Sequence, residues 1–111
     1  MMHWILTRIF ARVALAASLL GTGAASAQEA KAVPLLQDHK CYICHSNDEA
    51  KAGPAYIDVA AKYRGNPKAM SIVAATVRNG AHGGGPWHMP PHPEISQADA
   101  RIIARYILSL R

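Results

Sequence analysis

The stretch that decides the fold is Cys41-Tyr42-Ile43-Cys44-His45. Two thiols three positions apart, followed at once by an imidazole, match the C-x-x-C-H signal for covalent attachment of a c-type haem. On one helical turn Cys41 and Cys44 share a face, so both sulfurs can bond the vinyl-derived carbons on one side of a porphyrin. His45 follows directly, and an imidazole on a short tether is a typical proximal ligand of haem iron. We therefore expect one covalent haem c, with Cys41 and Cys44 as thioethers and His45 on the iron.

A C-x-x-C pair has two other common uses, and the rest of the sequence favours neither. A thioredoxin-like redox pair usually accompanies a βαβ pattern, which the sequence lacks. A zinc site would need four tetrahedral ligands, and no second C-x-x-C follows the first to complete them. Haem attachment uses both cysteines of the chain, so no disulfide is expected.

Residues 1–27 predict a cleaved secretory signal peptide. Arg8 and Arg12 supply a basic region before a short apolar run, residues 13–20. Ala25-Ser26-Ala27 is a small-x-small cleavage site. The apolar run is short for a membrane span, which takes about 20 residues, so an uncleaved anchor helix is the less favoured alternative. We expect a mature domain of residues 28–111 in the periplasm, in keeping with haem attachment outside the bacterial cytoplasm.

The size and charge of this mature domain limit its function. It would contain 84 of the 111 residues, and a domain so small buries a marginal core that a covalent haem would reinforce. Without Arg8 and Arg12, ten basic residues face seven acidic ones, so two haem propionates would reduce the net charge from +3 to +1. No basic stripe with interleaved aromatic residues is present, which excludes nucleic acid as an expected partner.

The first helix is expected to begin at Pro34, because proline suits the first helical turn, after a frayed segment 28–33. It is predicted to continue through both cysteines and to stop at Ser46-Asn47-Asp48, which favour a turn. His39, which precedes the haem motif, is expected on the surface.

Three further helices are predicted, and the expected fold is all-α, because no strand pattern appears. The second helix spans 56–63. Asn66-Pro67 predicts the N-cap and the first residue of the third helix. The apolar residues of this helix recur at helical spacing, and it is predicted to end at Asn79-Gly80. Ser96-x-x-Asp99 opens the last helix as a capping box.

Residues 80–95 contain too much glycine and proline for a regular element, and they predict a binding loop that supplies a sixth iron ligand. Met89 is the preferred candidate, because a thioether held by rigid backbone suits low-spin iron and raises its reduction potential. Met70 lies on a helical apolar stripe and is expected to pack in the core. Three loop histidines are alternative ligands that would give a lower potential, and an open sixth site is a further alternative. These histidines are His82, His88 and His92.

Across its whole mature length, the chain resembles the small bacterial class I c-type cytochromes. Besides the haem motif, the resemblance is carried by Gly53-Pro54-Ala55-Tyr56, by Met89-Pro90-Pro91 and by the closing segment 106–110. It implies four or five short helices around one haem, with the first and last helices crossing. It also implies that His45 and Met89 are the axial ligands. The carbonyl of Pro54 is implied to accept a hydrogen bond from His45, which orients the ring and raises its basicity.

Two departures from these relatives affect the loop. Relatives often carry a tryptophan several residues before the ligand methionine, near a propionate, whereas Trp87 is two residues before Met89. They often have an asparagine three positions after the methionine, where this chain has His92, whose titration would make the potential depend on pH. Arg78 is a further candidate for a propionate or haem contact, with a solvated helix end as the alternative.

The expected function is electron transfer without catalysis. We expect a monomeric carrier that docks transiently with redox protein partners at the haem edge, which Lys40, Lys51 and Lys62 could surround. The first alternative is a dedicated electron-accepting subunit of a periplasmic dehydrogenase or oxidase. The second is a haem sensor or peroxidase-like enzyme with an open sixth site, which would bind CO readily.

Overall fold

The computed structural model describes residues 23–83 and 85–111, with side chains from residue 27 onward. The predicted signal peptide falls almost entirely outside these residues and stays a prediction, as does the mature domain boundary. The elements in chain order are α1 (Gly23–Asp38), a 3₁₀ turn (Cys41–Ile43), α2 (Tyr56–Tyr63), α3 (Ala69–Asn79), β1 (Ala81–His82), β2 (His88–Met89) and α4 (Gln97–Ser109). No helix within the described ranges has the length and apolarity that crossing a membrane requires.

Helix α4 is the centre of the packing, because α1, α2 and α3 all contact it. Its inner face contributes Ile103, Tyr106 and Ile107 to the core, at the helical spacing of one buried stripe. Leu36 of α1 and Ile95, just before α4, are fully buried beside it. The predicted N-cap of α4 is confirmed, since the Ser96 hydroxyl accepts a 3.0 Å hydrogen bond from the Asp99 N–H.

The expected start of the first helix at Pro34 is wrong, because α1 begins at Gly23 and Pro34 lies inside it. The segment before Pro34 is rich in alanine, the strongest helix former, and Ala32 is completely buried. Pro34 removes the hydrogen bond that the carbonyl of Ala30 would accept. Both residues are exposed, so water can solvate that carbonyl.

The expected continuation of this helix through the cysteines is also wrong. Helix α1 ends at Asp38, and Lys40 has the left-handed conformation (φ 59°, ψ 29°). A residue in that conformation stops an α-helix, so the haem motif begins in a separate 3₁₀ turn. Sequence patterns do not predict this stop, because lysine rarely adopts positive φ.

Helix α2 confirms the predicted span, and α3 begins later than predicted. The Asn66 side chain accepts a 2.9 Å hydrogen bond from the Lys68 N–H, which forms a local turn and delays the helix to Ala69. The predicted end at Asn79-Gly80 is confirmed, with Gly80 at φ 76°. Met70 is half-buried against the core, as expected.

The expected all-α fold is confirmed, and the described residues add one short pair of strands that was not predicted. Ala81 pairs with Met89 and His82 with His88 in a two-stranded antiparallel ladder. The ladder is only two residues long on each side, too short for the alternation that identifies a strand in sequence.

Candidate haem site

The two cysteines lie on one tight turn. Cys44 N–H donates to the Cys41 carbonyl at 3.2 Å, and His45 N–H donates to the same oxygen at 3.0 Å. In a 3₁₀ turn, residues three apart are eclipsed, so Cys41 and Cys44 share one side, although the turn is not the α-helix that was expected. Cys41 is half-buried and Cys44 is exposed, and burial raises the pKa of the Cys41 thiol.

The ring of His45 is held through its Nδ1 atom, which lies 2.8 Å from the carbonyl oxygen of Pro54. A carbonyl oxygen only accepts hydrogen bonds, so Nδ1 must carry the proton. The proton on Nδ1 leaves the lone pair on Nε2, the form of imidazole that binds a metal.

Two neighbours of Pro54 fix the plane of the same ring. Tyr56 stacks on His45, with ring centroids 5.0 Å apart and an angle of 18° between the planes. A Cβ atom on Gly53 would lie 2.8 Å from Nδ1 and 2.9 Å from Nε2 of His45. Only glycine therefore leaves room for the ring. No pattern in the sequence indicated this steric role of Gly53.

Hydrogen bonds attach the loop after His45 to the helices. Gly53 N–H donates to the Cys44 carbonyl at 2.8 Å, and Tyr56 N–H donates to the Ser46 carbonyl at 2.9 Å. The Asn47 side-chain amide donates to the Tyr106 hydroxyl at 3.0 Å, which connects the haem motif to α4. The position of His45 thus depends on hydrogen bonds that connect its loop to α2 and α4.

Met89 lies at the end of β2 and is half-buried. Its backbone is packed closely against Gly80, where an added Cβ would lie 2.9 Å from atoms of Pro90 and Pro91. The next turn is held by His92 N–H, which donates to the Arg78 carbonyl at 2.9 Å. The segment that carries Met89 is therefore anchored on both sides to the end of α3.

The three loop histidines occupy two different places. His82 and His88 are exposed and face each other across the ladder, with ring centroids 5.6 Å apart. His92 Nδ1 lies 3.2 Å from a carboxylate oxygen of Glu94, and His39 Nδ1 lies 3.5 Å from the same oxygen. His39, which was expected on the surface, is partly exposed (22% of its side chain) and contacts Glu94.

The remaining candidate residues differ in their surroundings. The Arg78 guanidinium donates through Nε to the Ile95 carbonyl at 2.9 Å, and Trp87 is 69% exposed. Lys51 donates to the Tyr42 carbonyl at 3.0 Å, Lys62 lies 5.3 Å from the ring centre of Tyr63, and Lys40 is exposed.

The donor set fits a covalently bound haem. It contains two thiols on one side of a turn, an imidazole with a free Nε2 and a thioether in an anchored loop. The two segments that supply these groups also expose large apolar side chains, with Ile43 and Trp87 each 69% exposed. A porphyrin is a flat apolar ligand, so exposed apolar side chains on these two segments are compatible with its binding.

Comparison with known proteins identifies the class. The cytochrome c family model matches residues 27–111. Cytochrome c-551 of Pseudomonas aeruginosa is 41% identical over 96 residues, which cover 83% of this chain and 91% of that protein. The crystal structure of wild-type Nitrosomonas europaea cytochrome c552 matches with a TM-score of 0.67 at 35% identity, over 71% of this chain and 99% of that one. A class 1 cytochrome from Sideroxydans lithotrophicus ES-1 matches with a TM-score of 0.64 at 31% identity, over 73% of this chain and 94% of that one.

The fold and the donor set therefore define a small class I c-type cytochrome with one covalent haem c, as the sequence predicted. The chain belongs to the cytochrome c family.

Proposed function

We propose that this cytochrome carries single electrons between redox proteins in the periplasm and catalyses no reaction of its own. The observation that carries the proposal is the 2.8 Å contact between His45 Nδ1 and the Pro54 carbonyl. It leaves Nε2 of His45 free to bind iron, and hydrogen bonding to the carbonyl raises the basicity of that nitrogen. The names of the relatives, cytochrome c-551 and c-552, support the same class of function.

The haem would be held by four side chains. Cys41 and Cys44 would form the two thioethers, and His45 and Met89 would bind the iron. When bound, the haem supplies an iron that gains and loses one electron between Fe(III) and Fe(II). A thioether ligand favours the reduced form and gives the cytochrome a high potential.

The task of the chain is to keep these ligands still while the charge changes. Tyr56 stacks on the His45 ring and Gly53 approaches it closely, and Pro90 and Pro91 follow Met89 with fixed φ angles. Small movements on electron transfer mean a small reorganisation cost. We propose that this rigidity, rather than any substrate site, is what the fold provides.

We propose that Trp87 and Arg78 contact the haem or its propionates. Nε of Arg78 is engaged by the Ile95 carbonyl, and the guanidinium has further N–H donors. Trp87 is mostly exposed and belongs to the segment of Met89. These features support contacts at the edge of the haem, where the partners would also dock.

We propose that docking is transient and that the mature protein is a monomer. Weak redox encounters use small surfaces, and Lys40, Lys51 and Lys62 are exposed on the segments around the haem motif. Export by the predicted signal peptide, residues 1–27, would place the protein in the periplasm.

The test uses the exported holo-protein. Ascorbate should reduce it and ferricyanide should reoxidise it, with one electron per haem, and the reduced form should not bind CO. Rapid CO binding or turnover of peroxide would show an open sixth site and contradict the carrier function. Retention of the cytochrome by one enzyme through ion-exchange and size-exclusion steps would instead favour the dedicated-subunit alternative.

A further inference from the structure

His82 and His88 take no part in the haem site described above. They are directly paired in the antiparallel ladder, so their side chains lie on the same face of the two strands. Their ring centroids are 5.6 Å apart, and the ring planes differ by 28°. Both residues are exposed, which makes them accessible to a solute.

The pair is separate from the face of the ladder that carries Met89. Successive side chains on a strand point to opposite faces, so His88 and Met89 point in opposite directions. Met89 is half-buried and His88 exposed, in agreement with this alternation. If Met89 binds the iron, which rests on the proposed function, the His82–His88 pair lies on the outer face of the ladder, away from the haem.

We propose that His82 and His88 together bind one divalent transition-metal ion of the borderline class, such as Zn²⁺. Neutral imidazole is the commonest protein ligand for such ions. Two imidazole nitrogens at about 2.0–2.1 Å from one ion place the ring centres roughly 5–6 Å apart at tetrahedral or wider angles. The observed 5.6 Å falls in this range, and because the rings are stacked, rotation about the side-chain bonds is what turns one nitrogen of each towards the same ion.

Water completes the coordination of the ion. Within residues 23–83 and 85–111, no group of three or more histidine, cysteine, aspartate or glutamate side chains is arranged to hold a metal. The ion therefore has two protein ligands and open positions, and it exchanges with solution. It links β1 to β2, and β2 carries Met89, so the bound ion stabilises the segment that holds the sixth ligand.

A competing place for the ion is the contact of His39 and His92 with Glu94, since two imidazoles approach one carboxylate oxygen there. The distances of 3.5 and 3.2 Å are those of ion pairs or hydrogen bonds that the protein makes by itself. Occupation by a metal would have to displace these contacts. In the described part of the chain, no ion pair joins His82 or His88 to a carboxylate.

The test is a calorimetric titration of the tag-free holo-protein with Zn²⁺, which is redox-inactive. We expect one ion per chain. His82→Ala and His88→Ala should each weaken binding by at least about tenfold, because the second imidazole acts at high effective concentration. His92→Ala is the matched control and should bind Zn²⁺ as the unaltered chain does. Visible and circular dichroism spectra establish that each variant is folded and holds haem.

Several outcomes would overturn the proposal. They are the absence of binding at millimolar Zn²⁺, unchanged affinity in His88→Ala, loss of binding in His92→Ala alone, and one ion per two chains with dimer formation.

A second measurement follows from linkage, because a ligand that binds only the folded chain raises its midpoint of thermal unfolding. Zn²⁺ should raise this midpoint in the unaltered holo-protein but not in His82→Ala. None of these results depends on whether Met89 binds the iron, so a failed metal site and a failed haem-ligand assignment are distinguished.

Discussion

The His45 ring lies nearly parallel to the Tyr56 ring, with centroids 5.0 Å apart and planes 18° apart. Tyr56 begins α2 and is 4% exposed, and burial raises the pKa of its phenol, which stays neutral at physiological pH. Together with the Pro54 carbonyl and the close approach of Gly53, it fixes the orientation of the His45 ring. The orientation of His45 is thus encoded in one stretch of four residues.

Tyr56→Ala should destabilise the holo-protein strongly. Removal of a large buried aromatic side chain costs about 3–5 kcal/mol, and here it also removes the ring that supports His45. Tyr56→Phe keeps that ring and is the matched control, with a much smaller expected loss. Guanidinium unfolding of the ferric proteins measures both free energies. Equal losses in the two variants would show that the stacked ring contributes little.

Gly53→Ala should displace His45, because the added methyl would lie 2.8 Å from Nδ1. We expect a loss of about 1–3 kcal/mol in the free energy of unfolding, as in overpacked cores, with a shifted reduction potential. Gly85→Ala serves as the control, since nothing lies within 4 Å of its added Cβ. Unfolding and potentiometric titrations of both variants supply the comparison. A Gly53→Ala protein with unchanged potential would refute the steric role of Gly53.

Glu94 should make stability depend on pH in acid. Its pKa lies below the ordinary 4.5, mainly because its own backbone N–H bonds the carboxylate. Burial opposes this effect, and His92 and His39 reinforce it. A lowered folded-state pKa means that the unfolded chain binds the proton more tightly. The stabilisation is therefore present above pH 4.5 and is lost as the pH falls through the folded-state pKa.

The corresponding variant is Glu94→Gln, with Glu49→Gln at an exposed loop position as its control. The unaltered protein should be more stable than Glu94→Gln at pH 6, and the difference should shrink towards pH 3. Denaturant midpoints across this range measure it. A difference that stays constant with pH would show that the charge of Glu94 contributes nothing.

Much of the fold was predictable because local and tertiary preferences agree. Helix α4 has a Ser96 cap and an apolar stripe, and α2 has a clear span, so both were located from the sequence. Helix α1 was misjudged at Pro34, since burial of Ala32 against other helices outweighs the local signal. The end of α1 depends on the positive φ of Lys40, which tertiary packing imposes and residue type does not indicate.

The candidate donor groups of the haem site were easier to predict than the residues that hold them in position. The motif that ends at His45 indicates its candidate donors directly, because covalent attachment requires a fixed spacing of the residues. The stacking of Tyr56 on His45 and the contact of Glu94 with His39 join residues that are not neighbours in the sequence. Such contacts appear only once the chain is folded.

The most direct test of the central claim, an electron carrier whose iron is bound by His45 and Met89, is the visible spectrum of the oxidised, exported protein. We predict a low-spin ferric haem with the weak far-red band of methionine sulfur on iron. That band should be lost in Met89→Ala and kept in Met70→Leu, since Met70 packs against the core. A low-spin spectrum without the band, or a high-spin spectrum in the unaltered protein, would contradict it.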